Sequence, residues 1–219
     1  MLGSMLKKIF AFFILLAAIG ISGFFLIFKH AQGTLPKVYK LTDYQPLLGT
    51  TVFDRNGKKI GEFFRERRTL VPYKAIPKDL VNAFVAAEDD SFFSHNGVNY
   101  VSIVRATIAN LKAGRTVQGG STITLQVAKT LLQSSDERTL LNKVREALFA
   151  QQLEEHLSKE DILYLYLNQI YFGQGSYGVA VAAETYFRKP VQDLSLSEIA
   201  ILAGLPKAPS AYSPVHNSV

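Results

Sequence analysis

From Ile9 to Phe28 the chain reads IFAFFILLAAIGISGFFLIF, an uncharged run bounded by Lys7-Lys8 on one side and Lys29-His30 on the other. At 1.5 Å per helical residue, such a run covers about 30 Å, the thickness of a bilayer core. A cleaved signal peptide has a shorter apolar region of about 7–15 residues and ends in a small-x-small site. The residues that follow here are Lys29, His30, Ala31 and Gln32, so an uncleaved anchor fits better. With Lys7-Lys8 in the short leading segment, the positive-inside tendency puts the amino terminus in the cytoplasm and everything after the span outside. The expected organisation is a cytoplasmic tail over 1–8, a transmembrane helix over 9–28, a linker over 29–48 and one domain over 49–219.

The 219 residues carry a formal charge of +6, no Cys and no Trp, with 48% hydrophobic side chains. This composition excludes a disordered chain, a disulfide scaffold and a thiolate metal site. It supports one domain of ordinary size beside the anchor. The charge is uneven: residues 1–78 balance at +9 and residues 79–219 at −3. A nucleic-acid binder would place its basic surface on the folded domain, so no nucleic-acid partner is expected.

After Gly33, Pro36 and Pro46, which mark the linker, TTVFD and KKIGEFF flank Asn56-Gly57. That dipeptide tolerates positive φ and predicts a β-hairpin over about 50–64. Arg65, Arg67, Arg68, Lys74 and Lys78 follow. They read either as a solvated basic face or as a contact with anionic headgroups. From about residue 77 the pattern is helical. Apolar spacing predicts helices over 79–87, 100–111, 121–132 (capped by Ser121), 140–157, 158–170, 179–187 and 195–204, with Ser158/Asp161 and Ser195/Glu198 as capping boxes. The fold class is therefore mainly α with one hairpin and one membrane helix.

The informative residues are the polar ones that interrupt this pattern. Glu88-Asp89-Asp90 ends an apolar helix and runs into Phe92, Phe93, His95 and Gly97. Acids at a helix carboxyl end oppose its dipole, and a carboxylate among aromatics is poised to take or give a proton. The alternative is that Glu88 and Asp89 simply pair with nearby Arg and Lys, and that His95 is a hydrogen-bonded structural residue. Gly119-Gly120-Ser121-Thr122 sets glycines, hydroxyls and free N–H groups at a helix start, which suits a phosphate as well as an ordinary cap. Lys129 lies further along that helix, and Lys143 and Glu146 share a face of the next one.

EDDSFFSHNG (88–97) resembles the first motif of the peptidoglycan glycosyltransferases, family 51, Glu-Asp-x-x-Phe-x-x-His-x-Gly, at every fixed position. GGSTITLQVAKTL (119–131), NKVREA (142–147) and KEDILYLYLNQIYFGQGSYGV (159–179) are similar to the next three motifs. The carboxyl-terminal stretch and the anchor-plus-hairpin opening likewise resemble this domain in class A penicillin-binding proteins.

The resemblance implies a lysozyme-like α fold that polymerises lipid II into glycan strands, with release of undecaprenyl pyrophosphate, outside the bacterial inner membrane. It makes Glu88 the base that deprotonates the acceptor hydroxyl and Glu146 the acid that assists the leaving pyrophosphate, directly or through a divalent cation, Mg or Mn. Arg105, Lys129 and Lys143 would neutralise pyrophosphate charge. Gly120, Ser121, Thr122 and Gln126 would line the donor side, while Asp89, Phe92 and His95 would support the first site. The implied partners are lipid II, the growing strand, membrane lipids and other cell-wall synthesis proteins, with moenomycin as a donor-site inhibitor. A pyrophosphate leaving group needs cations and N–H donors more than a strong acid, and a single displacement inverts the anomeric centre.

Three positions depart from the family pattern. Leu125 stands for the usual Gln, Asn142 for Arg and Tyr164 for Glu. Leu125 is expected to cost the donor site a polar contact, so Leu125→Gln is expected to raise donor affinity or rate. The chain stops at Val219, before the family's fifth motif and any transpeptidase domain, and is expected to be a piece of a bifunctional enzyme or a truncated chain. A glycan hydrolase and a non-catalytic lipid II- or partner-binding module remain the competing readings.

Overall fold

The computed structural model describes residues 2–36, 49–64, 66–115, 117, 119–133 and 139–214. Most of the expected linker, with Lys37 and Lys40, and also Arg65, lie outside the described residues. Helix α1 (Leu2–Gly33) is longer than its apolar run on both sides. Lysine is a good helix former and does not end a helix, so the charged flanks stay helical and the linker begins after Gly33 rather than at residue 29. The most apolar 18 residues within Lys7–Gly33 have a mean hydropathy of 2.6, so this segment is long and apolar enough to cross a membrane, and the apolar side chains from Ile9 to Leu26 face outward. The far end is held by the rest of the chain: Ala31 is fully buried, and Gln152 Nε2 donates to the Pro36 carbonyl at 3.2 Å.

Strands β1 (Thr50–Phe53) and β2 (Lys59–Phe63) pair antiparallel, Thr50 opposite Phe63, with a register shift after Val52. Their turn is fixed twice. Gly57 takes φ +81°, and Asp54 Oδ1 accepts the N–H groups of Asn56 and Lys58, both at 2.8 Å. The sequence pattern shows one hairpin; the structure adds a two-residue parallel pair, β3 (Arg67–Arg68) with β4 (Ser176–Tyr177). This pair removes Arg68 from any open basic face. Its side chain is 5% exposed, donates to Glu66 at 2.8 Å and lies 5.8 Å from the Tyr177 ring centre. Arg67 faces Glu62 at 3.6 Å.

The helical body comprises α2 (Lys78–Glu88), α3 (Tyr100–Ala113), α4 (Ile123–Leu131), α5 (Leu140–His156), α6 (Lys159–Gln169), α7 (Val179–Phe187) and α8 (Leu196–Gly204). α6 is its centre. From Ile162 to Gln169 every residue but the half-buried Tyr164 is buried, and the helix touches α4, α5 and α7. α2 packs on α8, and α4 on α5. Phe84 anchors the core, edge-on to Tyr166 at 6.1 Å and to Phe172 at 5.8 Å. Each such ring contributes about 1.5–3 kcal/mol of burial. Asn168, fully buried, has its polar atoms satisfied: Oδ1 accepts from Val71 N–H at 2.8 Å, and Nδ2 donates to the Val71 and Tyr164 carbonyls. It ties the segment after β3 to the central helix.

Both capping boxes, Ser158 with Asp161 and Ser195 with Glu198, are present. At α4 the cap is Thr122 rather than Ser121, because Thr122 Oγ1 accepts the Leu125 N–H at 3.1 Å. The one-residue shift leaves the Ser121 hydroxyl outside the helix, on the cleft described next.

Candidate active site

α2 ends at Glu88, and Asp89 leaves the helix with extended geometry, φ −160°. Asp89 is buried and fully engaged. His95 Nε2 lies 2.9 and 3.1 Å from its two oxygens, and the Ile123 N–H donates to Oδ2 at 3.1 Å. The opposing dipole at the end of α2 is thus offset by the start of α4, whose free N–H groups favour an anion. Sequence spacing reveals both helix ends but not that they meet at Asp89.

His95 packs edge-on to Phe92, which is wholly buried. Lys159, which the sequence places in the fourth motif without a role, holds this loop in place. Its ammonium lies 4.4 Å over the Phe92 ring, donates to the His95 carbonyl at 2.7 Å and pairs with Glu154 at 2.8 Å. Thr124 donates to the same Glu154 oxygen at 2.6 Å, which joins α4, α5 and α6 behind the loop. Gly97 is required where this loop crosses α5: its φ is +84°, and a Cβ would sit 2.9 Å from the Ala150 carbonyl oxygen. Its own carbonyl accepts the Thr122 hydroxyl.

Glu88 itself is half-buried and accepts from Gln126 Nε2 at 2.8 Å. Burial pushes its carboxyl above the ordinary glutamate range, and Asp89 adds to the rise. The Gln126 bond and the Lys207 charge work against it. Lys207, in the turn after α8, carries no motif signal beyond its place in the carboxyl-terminal stretch, and only the fold brings it to Glu88.

A cleft of about 340 Å³ opens at this point. Glu88, Asp89, Asp90, Ser102, Arg105, Gly120, Ser121, Thr122, Gln126 and Lys207 line it. Gly120 lets α3 close on the glycine turn, since a Cβ there would meet the Ile103 Cα at 3.0 Å. The arrangement sets one desolvated carboxylate against two cations and a helix amino terminus. It can deprotonate a neutral nucleophile on one side and hold an anionic group on the other.

Five residues expected at the site are not among those lining the cleft. Phe92 lies in the core and His95 behind Asp89. Lys129 is exposed on α4, one turn beyond Gln126 and so on its face. Lys143 and Glu146 pair with each other on α5, Nζ to Oε2 2.6 Å, with Glu146 4% exposed. The motif departures are also placed. Leu125 and Tyr164 are half-buried and packed against the core, and Asn142 lies in the first turn of α5 with its N–H donating to Thr139 Oγ1 at 3.2 Å.

Leu125 therefore takes no polar contact from the cleft, contrary to the expectation from sequence. Leu125→Gln is now expected to lower stability by about 1 kcal/mol, by putting an amide against apolar neighbours, and to leave donor affinity unchanged. Thermal melts and lipid II titrations check the two halves.

The transglycosylase family description matches residues 56–219, a span that includes the whole helical body and all four motifs. The chain belongs to the transglycosylase family. It is 44% identical to penicillin-binding protein 1A of Pseudomonas aeruginosa over 190 residues, covering 87% of this chain and 23% of that protein. With penicillin-binding protein 1A of Vibrio cholerae it shares 40% identity over 212 residues, 97% of this chain and 26% of the relative. A crystal structure of penicillin-binding protein 1A from Haemophilus influenzae is 30% identical and matches 80% of this chain and 16% of the other, with a TM-score of 0.42. The chain spans about a quarter of the length of the curated relatives it matches. Its helical body falls within the matched span, and α1, which precedes that span, is long and apolar enough to cross a membrane.

Proposed function

We propose that the chain polymerises lipid II into glycan strands by inverting transfer, releasing undecaprenyl pyrophosphate. The observation that carries this reading is Glu88: a carboxylate with a raised pKa in a cleft that also holds Arg105, Lys207 and the turn that opens α4. Glu88 takes the proton of the acceptor hydroxyl as that oxygen attacks the donor's anomeric carbon. The bond from that carbon to the pyrophosphate breaks, and the electron pair leaves with the phosphate. Arg105, Lys129 and Lys143 take up the departing charge, and the Lys207 charge acts on the base. Gly120, Ser121, Thr122 and Gln126 seat the donor. Asp89, Phe92 and His95 hold the Glu88 loop, and Glu146 assists departure from α5. Lipid II, the growing strand and other cell-wall synthesis proteins are the proposed partners.

Among the described residues, no group of three or more His, Asp or Glu side chains could cage a metal ion. The nearly buried Glu146 carboxylate fits a divalent cation, Mg or Mn, shared with a pyrophosphate, since Mg is commonly held by one or two carboxylates and substrate phosphates. Such an ion would offset leaving-group charge, and no step depends on it here.

The pH dependence follows from the sign of the shift. Glu88 works ionised, and its pKa is raised, so the acid limb of the rate profile lies above the ordinary glutamate range and the rate falls as pH drops through it. Stability runs the other way. A carboxyl that holds its proton longer folded than unfolded contributes its stability below the unfolded value, and this is lost as pH rises through the folded one. Rate and melting profiles recorded on the same samples check both slopes.

A lipid II-binding module without turnover is favoured by one observation, the engagement of the second acid, Glu146, with Lys143 at 2.6 Å. Incubation with lipid II and with finished glycan separates the readings. A polymerase consumes the first and spares the second, a hydrolase shortens the second, and a binding module leaves both unchanged.

A further inference from the structure

Tyr166 on α6 is 1% exposed, and its hydroxyl oxygen is buried with no hydrogen-bond partner. Its neighbours explain the ring but not the oxygen. The ring meets Phe84 edge-on at 6.1 Å within a core that already holds Phe84, Phe92, Phe149 and Phe172. A phenylalanine would keep that contact without the free-energy cost of a buried, unsatisfied hydroxyl. Phe84 stands four residues before Glu88 on α2, so the two share a helix face, and the Tyr166 ring packs on that face one turn before Glu88. Burial raises the Tyr166 phenol pKa, and the Glu88 charge adds to the rise.

Resting on the reading of Glu88 as the base, we propose that Tyr166 is a positioning residue: a small side-chain movement lets its hydroxyl donate to the ionised Glu88 carboxylate. Gln126 is the first donor to that carboxylate and Tyr166 the second. With both in place, the carboxylate is fixed in rotation while a lone pair still faces the acceptor hydroxyl. The proton remains on the phenol throughout, because burial and the Glu88 charge both push the phenol pKa well above its ordinary value. The other ionisable groups acting on Glu88 are Asp89, at the end of α2, and Lys207, after α8. Neither is altered by a change at 166.

Tyr166→Phe in the full chain, in detergent, is the test, with the titration of Glu88 followed by NMR on glutamate-labelled protein beside the pH–rate profile. Loss of a donor to the charged form is expected to raise the Glu88 midpoint by about one unit and to move the acid limb of the rate with it. Below that midpoint the rate falls about tenfold, and the melting temperature holds or rises. An unchanged Glu88 midpoint overturns the proposal, whatever happens to the rate. The NMR readout needs no turnover, so a shifted midpoint in a protein that makes no glycan would sustain the Tyr166 contact and sink the polymerase reading instead.

Discussion

Glu88→Gln is expected to lower the rate of glycan synthesis by about 10²–10⁴-fold, the usual contribution of a positioned general base, while the protein melts at the same or a slightly higher temperature. The two halves have one cause. Glu88 is desolvated at the end of α2, which disfavours its charge and raises its pKa. Gln is neutral and of the same shape, and its carbonyl still accepts from the Gln126 amide that lies 2.8 Å from the native carboxylate. The substitution therefore removes proton acceptance and relieves the cost of a half-buried charge. Lipid II binding is expected to persist, because the donor-side groups of α3 and α4 are untouched. Polymerisation rates, melts and lipid II titrations on one preparation check the three statements, and a retained rate would remove Glu88 from the mechanism.

Asp89→Ala is expected to cost about 3 kcal/mol of stability and most of the activity. Asp89 receives His95 at 2.9 Å and the Ile123 N–H at 3.1 Å, so its loss leaves a buried imidazole nitrogen and a helix amino terminus unpaired. The damage spreads because the same loop sets Glu88 and carries Gly97 against α5. Asp89→Asn keeps an acceptor for the Ile123 N–H and should recover about half of the stability but less of the rate, since a neutral amide holds His95 less firmly. Denaturant unfolding separates the variants, and equal stability for all three would show that the carboxylate is not the keystone of this loop.

How far the residues reveal this architecture depends on the range of the forces involved. Local signals are legible: the apolar run becomes α1, Asn56-Gly57 becomes a hairpin turn, and the Ser158 and Ser195 boxes open helices as the spacing predicts. The carboxylates of the first motif are visible for the same reason, as charges that break an apolar period. Long-range pairings leave no such trace. Lys159 beneath Phe92, Lys207 near Glu88 and the β3–β4 pair join residues scattered along the chain. Leu125 shows the limit from the other side. Compared with a motif it reads as a missing polar contact, yet its place on α4 turns it to the core, where a leucine belongs. Lys143 and Glu146 are correctly read as a helical pair, and the structure closes that pair to 2.6 Å.

The polymerisation of lipid II proposed for this chain takes place at the Glu88 cleft. It is tested most directly by incubating the purified protein with fluorescent lipid II in detergent and separating the products by size, with and without moenomycin. The account predicts a ladder of glycan strands that moenomycin abolishes and that Glu88→Gln does not form. Lipid II that binds the protein yet stays unpolymerised under every condition would contradict it.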